Sequence, residues 1–490
     1  MQEENAKVTN NLSANAMILT ASKILNTAIA LLSTMLLARF RTLEEYGTYS
    51  QIQSVVSIAT AALLLGLPNS INFFLPRAET QKQKDSFLSL FYCLGTALSL
   101  LAGVILLLCS PLICTYYKNE QIKVYTYVLG LLPWINVITH SISNLLVATG
   151  NTKRLVIYNL LRNVSTLLII FLVQIFKGNF QWYMAIYILV ESFFALWVYM
   201  EVHRLVEKVY IKIDVGLLKA VLAFSIPMGL AAAVGTINVQ LDHLMVGYFF
   251  DTETLAVFSN AAKELPFTLI ATSFTAVLLP VMSRCFKKGE YVEAVDIWKK
   301  SVEFNAVILF FCATACIVFA PQIITILYSA QYLPGVPVFR IYSLVLLLRI
   351  TYFGMGLNAL GQSKIIMRVS VLSLGVNLIL DYILIRAFGP EGAALATILS
   401  IASGGLLQLW FTARKINIPL SKIFPWKELL RIALVNAMWA IPVCLVISIF
   451  NFSTDIYGIA AAILMGVGAL LVYVLIYKKR VVGLYRSMGK

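Results

Sequence analysis

Apolar runs long enough to cross a bilayer recur along almost the whole chain, separated by short polar intervals. Fourteen such segments are predicted, near 15–38, 46–75, 86–109, 123–148, 154–176, 181–203, 217–249, 253–283, 301–327, 335–360, 365–388, 391–413, 428–450 and 456–477. The pattern predicts an all-α polytopic membrane protein with no interval long enough to house a soluble domain. The N-terminus is polar and acidic and the first apolar run is full length, so no cleavable signal peptide is expected.

The pattern also repeats itself. Ala-Thr-Gly-Asn-Thr-Lys at 148–153 returns as Ala-Leu-Gly-Gln-Ser-Lys at 359–364, a spacing of about 210 residues. Close to that register Gly178 falls on Gly389, and Glu44, Tyr49 and Ser50 fall on Glu253, Phe258 and Ser259. Each repeat holds six segments. Six is even, so both halves enter the membrane in the same orientation and form parallel repeats. The division expected is an N-lobe at 1–204, a cytoplasmic linker at 205–216, a C-lobe at 217–415, and an appended helix pair with a tail at 416–490. The buried charges do not repeat: Arg162 falls on Ser373 and Lys23 on Ala232. A symmetric scaffold around an asymmetric binding surface is therefore expected.

Composition agrees with the pattern. Of 490 residues, 60% are hydrophobic and 12% charged, and the mean hydropathy is +0.85. A soluble enzyme of that balance would have no surface to offer water. The formal net charge is +15, and its placement matters more than its size. Alternate loops hold Arg77, Lys82 and Lys84; Lys153 and Arg154; Arg204, Lys208 and Lys212; Arg284, Lys287 and Lys288; Lys364 and Arg368; and Arg414, Lys415, Lys422 and Lys427. The tail adds Lys478, Lys479, Arg480, Arg486 and Lys490, whereas the opposite loops hold only Arg39, Arg41, Lys118, Lys123, Lys177 and Arg386. Basic loops mark the cytoplasmic side, so a multi-pass protein of the inner (cell) membrane with both termini cytoplasmic is expected. Anionic membrane lipids account for the positive charge, and no nucleic acid is expected.

Polar residues inside the segments carry the candidate chemistry, because an ionisable group at the bilayer centre costs about 2.5–3.5 kcal/mol on insertion scales. Lys23, Asn26, Thr27, Ala30 and Thr34 lie on one helical face, as do Asn159, Arg162, Asn163 and Thr166. Asn136, His140, Ser143 and Asn144 form a third stripe, and Gly235, Asn238 and Asp242 a fourth. Such stripes face a water-filled cavity or glue helices together. Lys23, Arg162, Lys263 and Arg349 are the candidate anion ligands, since Arg matches phosphate through paired donors. Asn26, Asn163 and Asn238 are candidates for hydroxyl groups. Asp242, His243 and Glu264 are candidates for ion or proton coupling, by H+ or Na+, although pairing to a nearby cation would explain them equally. Several segments carry prolines (Pro68, Pro133, Pro227, Pro266 and Pro442), of which Pro227 is the preferred hinge.

No cofactor, metal site or catalytic group is expected. There is no P-loop, the chain has three His, and Cys312 and Cys316 at i, i+4 read as small residues at a helix contact.

Thr42-Leu43-Glu44-Glu45-Tyr46-Gly47-Thr48-Tyr49, Gly66-Leu67-Pro68-Asn69 with Asn72-Phe73-Phe74-Leu75-Pro76-Arg77, and Gly389-Pro390-Glu391-Gly392-Ala393-Ala394 resemble the Wzx-type O-antigen and capsule flippases. That family lies in the superfamily of the multidrug MATE exporters and the lipid II flippases. The resemblance covers essentially the whole chain. It implies a MATE-like pair of six-helix lobes around a cationic cavity, and alternating-access transfer of an undecaprenyl-pyrophosphate-linked oligosaccharide between leaflets. The lipid-linked oligosaccharide and membrane lipids are the partners it implies, with a glycan polymerase and a chain-length regulator as candidates. Lipid II flippases typically carry arginines in the first helix, where this chain has Lys23. Two alternatives remain at this stage: a cation-coupled MATE-type multidrug exporter, and a non-transporting scaffold of a glycan assembly complex.

Overall fold

The computed structural model describes residues 22–64, 66–210, 214–450 and 454–488. Among these no strand occurs, and the chain is a multi-pass α-helical protein. Thirteen helices are long and apolar enough to cross a membrane, or fourteen when one bent pair counts as a single span. The expected number therefore holds, although residues 15–21 of the first predicted segment lie outside the described residues.

The helices run α1 (Ser22–Phe40), α2 (Leu43–Leu64), α3 (Leu67–Phe74), α4 (Gln81–Leu108), α5 (Ser110–Tyr117), α6 (Thr126–Ala148), α7 (Thr152–Ile175) and α8 (Phe180–Leu205). They continue as α9 (Val215–Phe249), α10 (Thr252–Ala261), α11 (Thr268–Lys288), α12 (Tyr291–Val318), α13 (Ala320–Leu327), α14 (Val336–Ser343), α15 (Val345–Leu348) and α16 (Met355–Ala359). The last are α17 (Ser363–Phe388), α18 (Pro390–Ile416), α19 (Leu420–Ile423), α20 (Trp426–Ile449) and α21 (Ile456–Met488).

Local signals explain where helices begin and end. Thr80 and Gln83 form a capping box at the start of α4. Asn179 accepts from the Trp182 amide at 3.0 Å to open α8, and Asp214 accepts from the Gly216 and Leu217 amides to open α9.

The repeated motif is a repeated helix stop. Gly150 and Gly361 take φ of 73° and 69°, a left-handed conformation that costs glycine little. At each, the next amide reaches back to close the helix, Asn151 to the Leu146 carbonyl at 2.7 Å and Gln362 to that of Leu357 at 2.8 Å. The match of Gly178 with Gly389 does not extend to conformation. In the first repeat Lys177 is the left-handed residue (φ 52°), and in the second it is Gly389 (φ 67°).

Contacts divide the chain into two compact units, Met1–Ala256 and Val257–Lys490. This division falls one long helix beyond the sequence repeat, because α9 packs along α2 and α3. Phe224 of α9 stacks on Phe73 with ring centroids 4.3 Å apart. In the first unit, Phe87 and Phe91 of α4, Ile138 and Leu145 of α6 and Phe194 of α8 share one core. In the second, Met282, Trp298, Phe310, Leu409 and Tyr473 form another.

The appended pair α20 and α21 is fastened to α12 by polar contacts. The Tyr473 hydroxyl donates to the Val307 carbonyl at 2.8 Å, and Arg480 pairs with both Glu303 and Glu428. Leu434, Ile441, Leu464 and Leu471 on the same two helices are largely exposed, as lipid-facing residues are.

Four expected segments are not continuous helices, the ninth being interrupted at Phe319 between α12 and α13. The second bends by 50° between α2 and the following turn-and-helix, where Gly66 takes φ 74° and Pro68 starts the new helix. The eighth breaks between α10 and α11, at residues 262–267, which include Pro266. The tenth breaks between α15 and α16, after Arg349. Unwound backbone inside a membrane needs replacement hydrogen bonds. Here Asn305 donates to the Ile350 carbonyl at 2.9 Å, and Trp298 donates to the Thr351 hydroxyl at 2.9 Å.

Candidate functional site

In the first unit, two of the polar stripes meet. Asn163 of α7 donates to Asn26 Oδ1 of α1 at 2.9 Å, and Asn26 in turn donates to Ser22 at 3.2 Å. One residue before Asn163, Arg162 donates through Nε to Glu191 of α8 at 2.7 Å. The Arg162 side chain is 19% exposed and that of Glu191 is 4% exposed. Such a buried pair holds position because either charge alone would be costly. Lys23 is exposed, one turn from Asn26, and makes no ion pair among the described residues. The third stripe is spent partly on packing: Asn144 of α6 donates to the Pro68 carbonyl at 2.9 Å and accepts from Asn72 at 3.2 Å.

The fourth stripe lies on α9. Asp242 is buried at 4% exposure, His243 is half-buried, and both make contacts with their surroundings. As neighbours in a helix they point in different directions. The Asn238 Oδ1 is buried with no hydrogen-bond partner among the described residues. Pro227, the expected hinge, lies inside α9, which runs on through it as one helix of 35 residues. A 50° bend of this unit lies in the second span, at Gly66 and Pro68. A Cβ built on Gly66 would stand 2.5 Å from the Gly229 nitrogen and 2.7 Å from the Ser225 carbonyl oxygen. Gly66 thus allows α3 to approach α9 backbone to backbone, while Phe73 and Phe74 close around Phe224.

In the second unit, the two helix breaks carry the charges. Arg349, at the end of α15, donates through Nε and Nη2 to Glu264 Oε1 at 3.0 and 2.6 Å. Glu264 lies in the break between α10 and α11. Lys263 lines a small recess beside it with Tyr342 and Ser343. Broken helices that present charge to each other are a recurring form of transporter binding site.

The structure thus brings Arg162, Asn163 and Asn26 together in one unit, and Lys263, Glu264 and Arg349 in the other. Both candidate arginines are engaged by glutamates, a pairing the sequence did not reveal. Glu191 stands out in sequence only as one more intramembrane carboxylate. Helix spacing relates residues on one helix and says nothing about partners on another. The break after Arg349 was also missed; Gly354 nearby is the one signal that could have suggested it.

Arg349 and Glu264 retain 43% and 29% side-chain exposure. Solvent screens such a pair, so Glu264→Ala is expected to cost at most about 1 kcal/mol of stability. Thermal unfolding of the purified variant checks this, and a loss like that of a core deletion would place the pair in a dry interior.

The described residues thus combine helical spans, two compact units, broken helices and charges held at the breaks. Solved structures with this fold include the lipid II flippase MurJ in an inward closed conformation (TM-score 0.73, 18% identity, 95% of this chain and 100% of that one). An inward-facing MATE-family multidrug resistance transporter of the MOP superfamily also matches (TM-score 0.64, 15% identity, 80% and 94% covered).

Residues 36–337 match the polysaccharide biosynthesis protein family, and the chain belongs to it. Among individual relatives, the capsular polysaccharide biosynthesis protein CapF of Staphylococcus aureus is 23% identical over 49% of this chain and 61% of its own. The protein named probable low-salt glycan biosynthesis flippase Agl15, of Haloferax volcanii, is 25% identical over 36% and 38%. An uncharacterised membrane protein of Methanocaldococcus jannaschii is 29% identical over 41% and 40%. The chain aligns with less than two thirds of the length of each. Relatives and structural neighbours whose names state an activity are flippases and transporters, not enzymes.

Proposed function

We propose that this protein is a flippase that carries an undecaprenyl-pyrophosphate-linked oligosaccharide from the inner to the outer leaflet by alternating access, for O-antigen, capsule or exopolysaccharide export. Membership of the polysaccharide biosynthesis family over residues 36–337 is the observation that carries this reading. The arginines give it a chemical route. Each guanidinium has five donors in a planar fork, and its glutamate keeps it oriented. Pyrophosphate binds by taking up the remaining donors or by exchanging with the carboxylate. The second route is open to Arg349, whose pair with Glu264 is partly exposed. Glu264, once displaced, serves with Asp242 and His243 as a group for ion or proton coupling. Lys23 and Lys263 add charge, and Asn26, Asn163 and Asn238 meet sugar hydroxyls. Closure of α3 on α9 seals the path on the side where the basic loops cluster, which the reading makes cytoplasmic in the inner membrane.

A null strain complemented with Arg349→Ala is expected to lose at least about tenfold in surface glycan, since a charge-assisted contact to phosphate is removed. Arg349→Lys should recover part of it. Full glycan export by Arg349→Ala, Lys23→Ala and their double variant, each at normal membrane abundance, would overturn the reading. Increased drug sensitivity of the null strain with intact glycan would point to a multidrug exporter.

A further inference from the structure

A second cationic site lies away from the residues discussed so far, where α7 begins and α8 ends. Arg154 and Arg204 both donate to Glu201, at 3.2 and 2.6 Å. The Trp197 indole N–H donates to the same carboxylate at 3.3 Å. Glu201 is buried, while the two arginine side chains are 54% and 62% exposed. One donor on each guanidinium is used, and the others stay available. Lys153 is exposed alongside, so the one buried carboxylate faces an excess of positive charge.

These residues open onto a recess whose floor is apolar and aromatic, with Ile142, Leu146, Tyr158 and Trp197. Below it, Ile157, Leu161, Val164, Leu168, Phe171 and Ile175 form an exposed stripe down α7 at three- and four-residue spacing. The arrangement therefore has a cationic head position at the membrane boundary and an apolar track directly beneath. An inorganic anion would use only the first part and a neutral lipid only the second.

We propose that this recess binds an anionic glycerophospholipid from the leaflet on that side. Its phosphate sits between Arg154 and Arg204, and an acyl chain lies along the α7 stripe. Glu201 serves as a spacer that holds the two guanidinium groups apart and in place, and Trp197 supports the headgroup level as interfacial aromatics do. This site is independent of the flippase reading, because none of its residues belongs to the proposed substrate path.

The test uses the full chain in neutral detergent, titrated with phosphatidylglycerol or phosphatidylcholine of matched acyl chains. Phosphatidylglycerol should raise the unfolding temperature by on the order of 5 °C and phosphatidylcholine should not. Arg154→Gln/Glu201→Gln/Arg204→Gln should lose that selectivity; it removes both cations together with the buried carboxylate, so no uncompensated charge remains to unfold it. Glu201→Gln alone keeps both cations and should keep the selectivity, with its midpoint at lower lipid concentration. Selectivity that survives in the triple variant, is lost in Glu201→Gln, or is reproduced by inorganic phosphate would overturn the proposal. Displacement of phosphatidylglycerol by one equivalent of undecaprenyl pyrophosphate would overturn it too, by making the recess a substrate site.

Discussion

Arg162→Ala is expected to destabilise the protein by about 3–5 kcal/mol, the usual cost of leaving one partner of a buried ion pair uncompensated. Glu191, 4% exposed, would be left without its cation in surroundings that offer little water. The cost belongs to the orphaned carboxylate more than to the lost attraction. The double variant Arg162→Gln/Glu191→Gln should therefore recover most of the stability, because two neutral amides can hydrogen-bond to each other. Thermal or denaturant unfolding of both variants checks this. Equal losses in the single and double variants would show that packing around Arg162, not the charge on Glu191, sets the effect. The contrast with Glu264→Ala is part of the prediction, since that pair is several times more exposed.

The second large effect is expected at Gly66. Its φ of 74° costs a residue with a side chain roughly 1–2 kcal/mol. The atoms of Gly229, within 2.6 Å of a Cβ, must also move. Forced overpacking of this kind adds about 1–3 kcal/mol. Gly66→Val should push α3 off α9 and, on the proposed flippase function, stop glycan export while the protein still inserts. Cysteines at Phe73 and Phe224, whose rings stack at 4.3 Å, report the separation when joined by a short bismaleimide. The exposed native Cys93 and Cys444 are first replaced by Ala. Cross-linking should be efficient with Gly66 and fall to background with Val. Unchanged cross-linking in Gly66→Val would separate the glycine from the closure.

Several features of the site were legible because they depend on one helix at a time. The faces of α1 and α7 could be drawn from spacing, and the hydrogen bond between Asn26 and Asn163 shows that those faces meet. Pro266 marked the place where the eighth span breaks. Features that join two helices were not legible. Arg162 could be seen as an intramembrane cation, but its partner lies 29 residues away on a different helix. Arg349 and Glu264 are 85 residues apart. Nothing in local periodicity selects such pairs among all the carboxylates available. Prolines alone did not say which helices break: α9 runs on through Pro227, whereas the second span bends at Pro68, near a glycine that accepts a left-handed backbone.

The sequence by itself determined that the chain crosses the membrane many times, how many spans it has, which loops are basic, and that its halves are duplicated. Each follows from properties that act along the chain: the length of apolar runs, the charge of loops, and glycine stops recurring at fixed spacing. Tertiary structure alone decided which charges are neutralised, that the tenth span breaks after Arg349, and that the first helix of the second repeat packs with the first unit. Those outcomes depend on contacts between helices distant in sequence. In a membrane, packing and polar pairing, rather than hydrophobicity, choose which helices meet.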